Sequence, residues 1–259
     1  MTTFKSMQHT APKRIVIKLG GSMLERLNEN FFTNFKKLQA AGNELIIVHG
    51  GGPAINEALA KNNITSTTVN GIRVTSAEAV GIVQSTLIGK VNPALVYELN
   101  KSGIAAIGLN GYDSKLLQCT ILHKETYGFV GEIKKVNSSL LKTLLANGIT
   151  PVISSISCTE EGTPLNINAD TVASEIALAI KAESLQFVTD IPGIQIKGEV
   201  QQIATPSAIS DWMVSGDVYG GMIPKVTAAL DCLEAGIPSV QIVGDQLEGT
   251  TIIQQEVIV

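Results

Sequence analysis

Two lysines, one arginine and three glycine clusters carry the side chains and bare backbone able to hold an anion, and one aspartate could hold the lysines in place. Lys18-Leu19-Gly20-Gly21-Ser22 ends an apolar β-branched run with a cation and then two residues lacking side chains. His49-Gly50-Gly51-Gly52-Pro53 repeats the plan after LIIV. Pro53 suits the first turn of a helix, where its missing N–H has no partner to lose. One such cluster is compatible with a tight turn and nothing more. Two of them, each after an apolar strand and each opening a helix, favour backbone N–H groups gathered around a negative ligand.

The segment 215–236 leads a third glycine-rich loop into a helix, with Lys225 in its first turn and Gly236 at its end. A cation there opposes the helix dipole by up to about 1 kcal/mol at an exposed site. An anion bound alongside would offset that cost; the plainer alternative is a tolerated surface lysine. In PLNINADTVASEIALAI, 164–180, Asn166 and Asn168 alternate along an extended entry and Asp170 falls in the first turn of a long apolar helix. Asn168 then caps the helix and Asp170 complements its dipole. Asp170 could equally be the counter-charge that holds both lysines in place, and the two roles are compatible. Arg73 lies between a turn at Asn70-Gly71 and a helix capped by Thr75 or Ser76, with Glu78 as a capping-box partner. It is either a solvated side chain or a clamp for a carboxylate.

Several chemistries are excluded. The sequence lacks GxxxxGK[ST], a GxGxxG after a strand, and GxSxG, and it shows no Cys-His pairing. Nothing therefore points to a P-loop, a dinucleotide fold or a covalent hydrolase. His49, directly before a turn, reads as structural, and His9 and His123 have no partner in the pattern.

These residues need a frame. Short β-branched runs (RIVIKL, ELIIVH, IAAIGL, PVISS, LQFVTD, PSVQIV) alternate with amphipathic ones in the 259-residue chain. That order predicts an α/β doubly wound sheet with helices on both faces. The composition agrees: 16% charged, 4% aromatic and 24 glycines suit a mainly parallel sheet. Alternation around turns predicts antiparallel hairpin excursions between Leu116 and Val136, and again over Ile194–Ile203, turning at Lys197-Gly198-Glu199. A lobe boundary is expected near 179–184, dividing 1–180 from 181–259. A net charge of −4 without basic runs argues against nucleic acid. Cys119, Cys158 and Cys232 form no CxxC pair, so no metal cluster or disulfide framework is expected and a reducing cytoplasm fits best. The first thirteen residues lack the apolar core of a leader, and no apolar stretch is expected to reach membrane-spanning length.

Taken together, Lys18-Leu19-Gly20-Gly21-Ser22, His49 to Pro53, Asn166 to Asp170 and Gly221-Met222-Ile223-Pro224-Lys225 strongly resemble the motifs of the amino acid kinase family, from about Arg14 to the C-terminus. The resemblance implies a three-layer αβα sandwich and an ATP-dependent kinase. Its pattern is similar to members that phosphorylate the side-chain carboxylate of N-acetyl-L-glutamate in arginine biosynthesis. It implies an N-terminal lobe (1–180) that holds this substrate and forms a homodimer, and a C-terminal lobe (181–259) that holds ATP with Mg2+. Lys18 and Lys225 would stabilise the phosphoryl group in flight, with Asp170 orienting both. Gly51, Gly52, Arg73, Asn166 and Asn168 would bind substrate. Gly20, Gly21, Thr189, Asp190, Ile191, Gly193, Ile194, Asp217, Val218, Tyr219, Gly221 and Met222 would bind nucleotide. No protein metal ligand is named, because magnesium is expected mainly on phosphate oxygens.

Rival readings are a sibling kinase acting on glutamate, aspartate, carbamate, UMP or carrier-bound aminoadipate, and a non-catalytic sensor of ATP or an amino acid. One departure from the family pattern is Ser114, where a second glycine more often follows the aspartate. Arginine-inhibited members carry a long N-terminal helix. With only thirteen residues before the first strand and Pro12 among them, a dimer without arginine feedback is expected.

Overall fold

Runs with little polar interruption become the centre of a sheet, because a strand covered by helices on both faces has no solvated side to favour alternation. Glu44–His49 is buried from Leu45 onward, and Ser184–Val188 is buried throughout. The computed structural model describes residues 12–24 and 26–254; the expectations about a leader and a long N-terminal helix fall largely on residues 1–11, outside that range. The main sheet has eight strands in the order Ile203–Ala204, Gly249–Ile253, Ser239–Val243, Ser184–Val188, Arg14–Leu19, Glu44–His49, Thr150–Ser154, Ala106–Leu109. From Ser239–Val243 to Ala106–Leu109 the strands run parallel. Gly249–Ile253 turns back antiparallel to Ser239–Val243 and carries Ile203–Ala204 parallel to itself.

Period-two alternation sorts the Arg14–Leu19 strand onto two cores. Val16 joins Leu141, Val172, Ile176, Ile209, Val226 and Leu233 from helices Ser138–Ala146, Ala169–Ile180, Pro206–Ser215 and Met222–Glu234. Ile15, Ile17 and Leu19 join Phe31, Phe32, Phe35, Leu95 and Leu99 from helices Glu29–Ala40 and Asn92–Lys101. The three-layer αβα sandwich follows, and Lys18, in phase with Val16, belongs to the face of the Ala169–Ile180 helix.

The excursions are hairpins, as the alternation predicts. Leu117–Ile121 and Gly131–Val136 pair antiparallel within a second, four-stranded sheet that includes Ile156–Cys158 and Pro164–Asn166. Gln195–Ile196 and Glu199–Val200 turn at Lys197-Gly198, both at positive φ (52° and 86°), which suits the twist of a two-residue hairpin. Beyond it the chain leaves the expected hairpin, and Ile203 enters the main sheet.

Two expectations need correction. Of the two residues expected to cap the helix starting at Ala77, Ser76 takes the role, accepting from Ala79 N at 3.2 Å. Glu78 is then one position too early for a capping box, which needs the acid at the third helical residue. The second concerns length. Ala77–Lys101 runs as one 25-residue helix, long and apolar enough to span a bilayer by length and composition. Part of its apolar surface is packed inside the protein, where Val83, Leu87 and Leu99 are fully buried, while Lys90 and Lys101 face outward and Tyr97 is 63% exposed. It contains a π turn at Leu87–Val91, where Asn92 N donates to Leu87 O just before Pro93, which has no N–H of its own to give.

Candidate active site

The chain crosses from one side of the Arg14–Leu19 strand to the other: Glu44–His49 lies on one flank and Ser184–Val188 on the opposite flank. A reversal of this kind leaves a crevice beyond the carboxyl ends of the two strands, where open α/β sheets take their ligands. Lys18 pairs in register with Phe187 and Leu19 with Val188. Gly20-Gly21 and Thr189-Asp190 therefore emerge side by side at that crevice.

Two ion pairs stand there. Lys18 Nζ lies 2.8 Å from Asp170 Oδ1. Its angles fall short of a hydrogen bond, so the buried Oδ1 is charge-paired without having its acceptor capacity used. Asp170 is placed by the helix start: Asn168 Oδ1 accepts from Asp170 N at 2.7 Å and Thr171 N at 3.2 Å, the expected cap. Lys225 Nζ donates to Asp190 Oδ1 at 3.2 Å, and this contact holds the Asp190 carboxyl below the usual carboxylate range. The single counter-charge expected at Asp170 is thus divided between two carboxylates in this structure. The first turn of the Met222–Glu234 helix reaches Asp190, two residues past the strand beside Lys18.

The first two glycine clusters close on each other. A Cβ on Gly21 would stand 2.6 Å from Gly52 N and 2.7 Å from Pro53 Cδ, distances no side chain tolerates. Glycine at 21 is what lets the turns meet. Gly52 and Ala54 then present the free N–H groups of the first turn of the Gly52–Lys61 helix. Gly21 and Gly51 border a cavity of about 350 Å³ walled mostly by apolar side chains, among them Leu24, Phe32, Val91 and Leu95.

Arg73 and Asn166 are joined through Thr75. Asn166 Nδ2 donates to Thr75 Oγ1 at 3.1 Å, and Thr75 Oγ1 donates to Arg73 O at 3.1 Å. The Arg73 guanidinium donates to Asn56 Oδ1 at 2.6 Å and to Ser66 Oγ. Asn56 is one turn along the helix that Gly52 opens. Hydrogen bonds thus link Asn56, Arg73, Thr75 and Asn166 in one chain, which ends two residues before Asn168, the cap that places Asp170 against Lys18.

The remaining expected residues divide. Thr189, Asp190 and Ile191 line a smaller cavity of about 200 Å³ with Met23, Arg26, Pro192, Gly244 and Asp245. Gly193 and Ile194 are packed against Thr250, whose hydroxyl accepts from Ile194 N at 2.8 Å, and line neither cavity. Val218 is buried and its N–H donates to Trp212 O, Asp217 accepts from Ser215 Oγ at 2.7 Å, and Tyr219 is 74% exposed. These three also lie outside both cavities, as do Gly221 and Met222, which start the Lys225 helix. A further cavity of about 560 Å³, lined by Tyr112, Cys119, Cys158 and Glu161 among others, touches none of the expected residues.

Thr75, Asn56 and Ser66 escape the sequence reading. Thr75 reads as a cap because its hydroxyl precedes a helix, and only the neighbouring sheet reveals that Asn166 claims it. Asn56 is one turn from Gly52, a spacing that would have placed it on the same helix end.

The amino acid kinase family model matches residues 13–244. The chain belongs to the amino acid kinase family. Among the amino acid kinase relatives, the acetylglutamate kinase of Halalkalibacterium halodurans is 41% identical over 250 residues, covering 93% of this chain and 96% of that protein. The acetylglutamate kinase of Geobacillus stearothermophilus is 43% identical over 231 residues, 89% of this chain and 90% of that one. In structure, smu.665 from Streptococcus mutans UA159 superposes with a TM-score of 0.82 at 33% identity, covering 93% of this chain and 99% of that chain. Carbamate kinase from Giardia lamblia bound to AMP-PNP shares the fold at 16% identity, with a TM-score of 0.64 over 95% of this chain and 99% of that one.

Proposed function

We propose that this protein transfers the γ-phosphoryl group of ATP to the side-chain carboxylate of N-acetyl-L-glutamate, giving N-acetyl-L-glutamyl 5-phosphate for arginine biosynthesis. The likeness at about 41% identity over nearly the whole of proteins named acetylglutamate kinase carries this reading. The chemistry of the crevice supports it.

A carboxylate is ionised at neutral pH, so the nucleophile needs no general base. Its obstacle is repulsion from the triphosphate, and catalysis reduces to alignment and charge neutralisation. Lys18 and Lys225 supply the positive charge, and Asp170 and Asp190 hold them ready. The amides around Gly20, Gly21, Gly51 and Gly52 donate to phosphate oxygens and the attacking carboxylate. Arg73, Asn166 and Asn168 secure the substrate's other polar groups. Thr189 to Ile194, Asp217 to Tyr219, Gly221 and Met222 take the nucleotide. Mg2+ would sit mainly on the phosphate oxygens of ATP and would neutralise their charge there.

Residues 1–180 act as the acyl-substrate lobe and 181–259 as the ATP lobe, hinged at the shared sheet. The working form is a cytoplasmic homodimer, for which the open sheet edge at Ala106–Leu109, with Ile107 40% exposed, offers a surface. ADP release from Mg-ATP, measured with N-acetyl-L-glutamate, glutamate, aspartate, carbamate or UMP, tests the assignment. Release dependent on N-acetyl-L-glutamate is expected; preference for another acceptor, or none, overturns it.

A further inference from the structure

His49 and Asn92 form a buried polar pair that the chemistry above does not use. The His49 side chain has no exposure and Asn92 is 7% exposed. Asn92 Nδ2 donates to Val152 O at 2.9 Å, which fixes which way its amide points. The same Nδ2 stands 2.9 Å from His49 Nε2. An amide nitrogen only donates, so Nε2 accepts and the ring proton sits on Nδ1. Nδ1 lies 2.8 Å from the Gly50 carbonyl and donates to it. Burial keeps the imidazole neutral, its pKa lowered to about 4, so this tautomer holds across the neutral range. The support extends one strand further, because a Cβ at Gly108 would overlap Asn92 Oδ1.

A trans peptide is planar, with its C=O and N–H on opposite sides. Fixing the Gly50 carbonyl therefore fixes the Gly51 N–H. Gly50 lies against the Ala169–Ile180 helix start, a Cβ there falling 3.4 Å from Ala169 Cβ, one residue from Asp170. Among the described residues no backbone carbonyl accepts from the Gly51 N–H. Three successive glycines resist peptide rotation less than any other sequence, so the turn needs an outside tether.

We propose that His49 is a positioning residue: its Nδ1–H, bonded to Gly50 O, holds the 50–51 peptide so that the Gly51 N–H stays aimed at the phosphoryl group in transfer. This rests on the phosphorylation proposed above. The Asn92 amide in turn selects the tautomer that makes the tether.

The test compares His49→Asn, whose side-chain amide nitrogen occupies roughly the place of Nδ1, with His49→Leu, which keeps bulk and removes the donor. For His49→Leu, kcat is expected to fall about tenfold or more with both KM values within about threefold of the parent's, the mark of an interaction felt in the transition state. His49→Asn is expected to keep most of the parent's kcat. Equal losses in the two, or full kcat in His49→Leu, overturn the proposal. Should His49→Leu fail to fold, the parent decides alone: its imidazole ¹⁵N spectrum is expected to show the Nδ1–H tautomer, and an Nε2–H tautomer overturns the proposal. A parent that makes no acyl phosphate overturns the phosphorylation reading instead, and the tautomer still reports on the tether.

Discussion

Lys18 Nζ and Asp170 Oδ1 stand 2.8 Å apart, joining the end of the central strand to the first turn of the helix that covers it. Asp170 is where it is because Asn168 caps that helix, and Lys18 faces it because period two puts it in phase with Val16. Removing either charge should leave the scaffold standing and disable the transfer. Asp170→Asn is expected to lower kcat by about tenfold to a hundredfold with little change in melting temperature, since the Asn168 cap remains. Steady-state kinetics beside a thermal melt checks both halves.

The contact of Gly21 with Gly52 and Pro53 predicts a different failure. Gly21→Ala places a methyl group where only 2.6 Å separates it from backbone nitrogen, so the turns must part. A stability loss of about 1–3 kcal/mol, typical of overpacking, is expected in denaturant titration. Activity should fall further than stability, because the separated turns no longer present their amides together.

His49 makes stability depend on acid. Its pKa is about 4 in the fold against 6.5 ordinarily, so between those values the unfolded chain binds a proton that the native protein refuses. The contribution is fully present above pH 6.5 and is lost as pH falls toward 4, by about 3 kcal/mol in all. Urea unfolding from pH 7 to pH 4 should show that slope in the parent. In His49→Asn, which cannot titrate, this part of the slope should be missing.

Ser114 departs from the glycine expected after Asp113, and its backbone is left-handed, with φ 52° and ψ 32°. A β-carbon costs about 1–2 kcal/mol in that region, partly offset by the entropy glycine loses on folding. Ser114→Gly should therefore raise stability by about 0.5–1 kcal/mol, read as a higher melting temperature with unchanged kinetics.

The central parallel strands were legible because burial on both faces leaves unbroken runs such as ELIIVH, and helix limits were legible because Pro53 and Asn168 mark starts and Gly236 an end chemically. Gly249–Ile253 was not, since a five-residue β-branched stretch beyond a loop gives no sign of its direction. The π turn before Asn92 leaves only Pro93 as a trace. Lys18, Asp170 and Lys225 stood out through glycine and cap context. The pairing of Lys225 with Asp190 depends on which strands become neighbours, a matter of topology that one-dimensional spacing does not contain.

Hydroxylamine trapping tests the central claim most directly, since it converts an acyl phosphate into a hydroxamate and leaves other phosphorylated products untouched. With N-acetyl-L-glutamate and Mg-ATP the parent should form the hydroxamate, and Lys225→Ala should form it on the order of a hundredfold more slowly or worse. No hydroxamate from the parent, or equal rates from both proteins, would contradict the account.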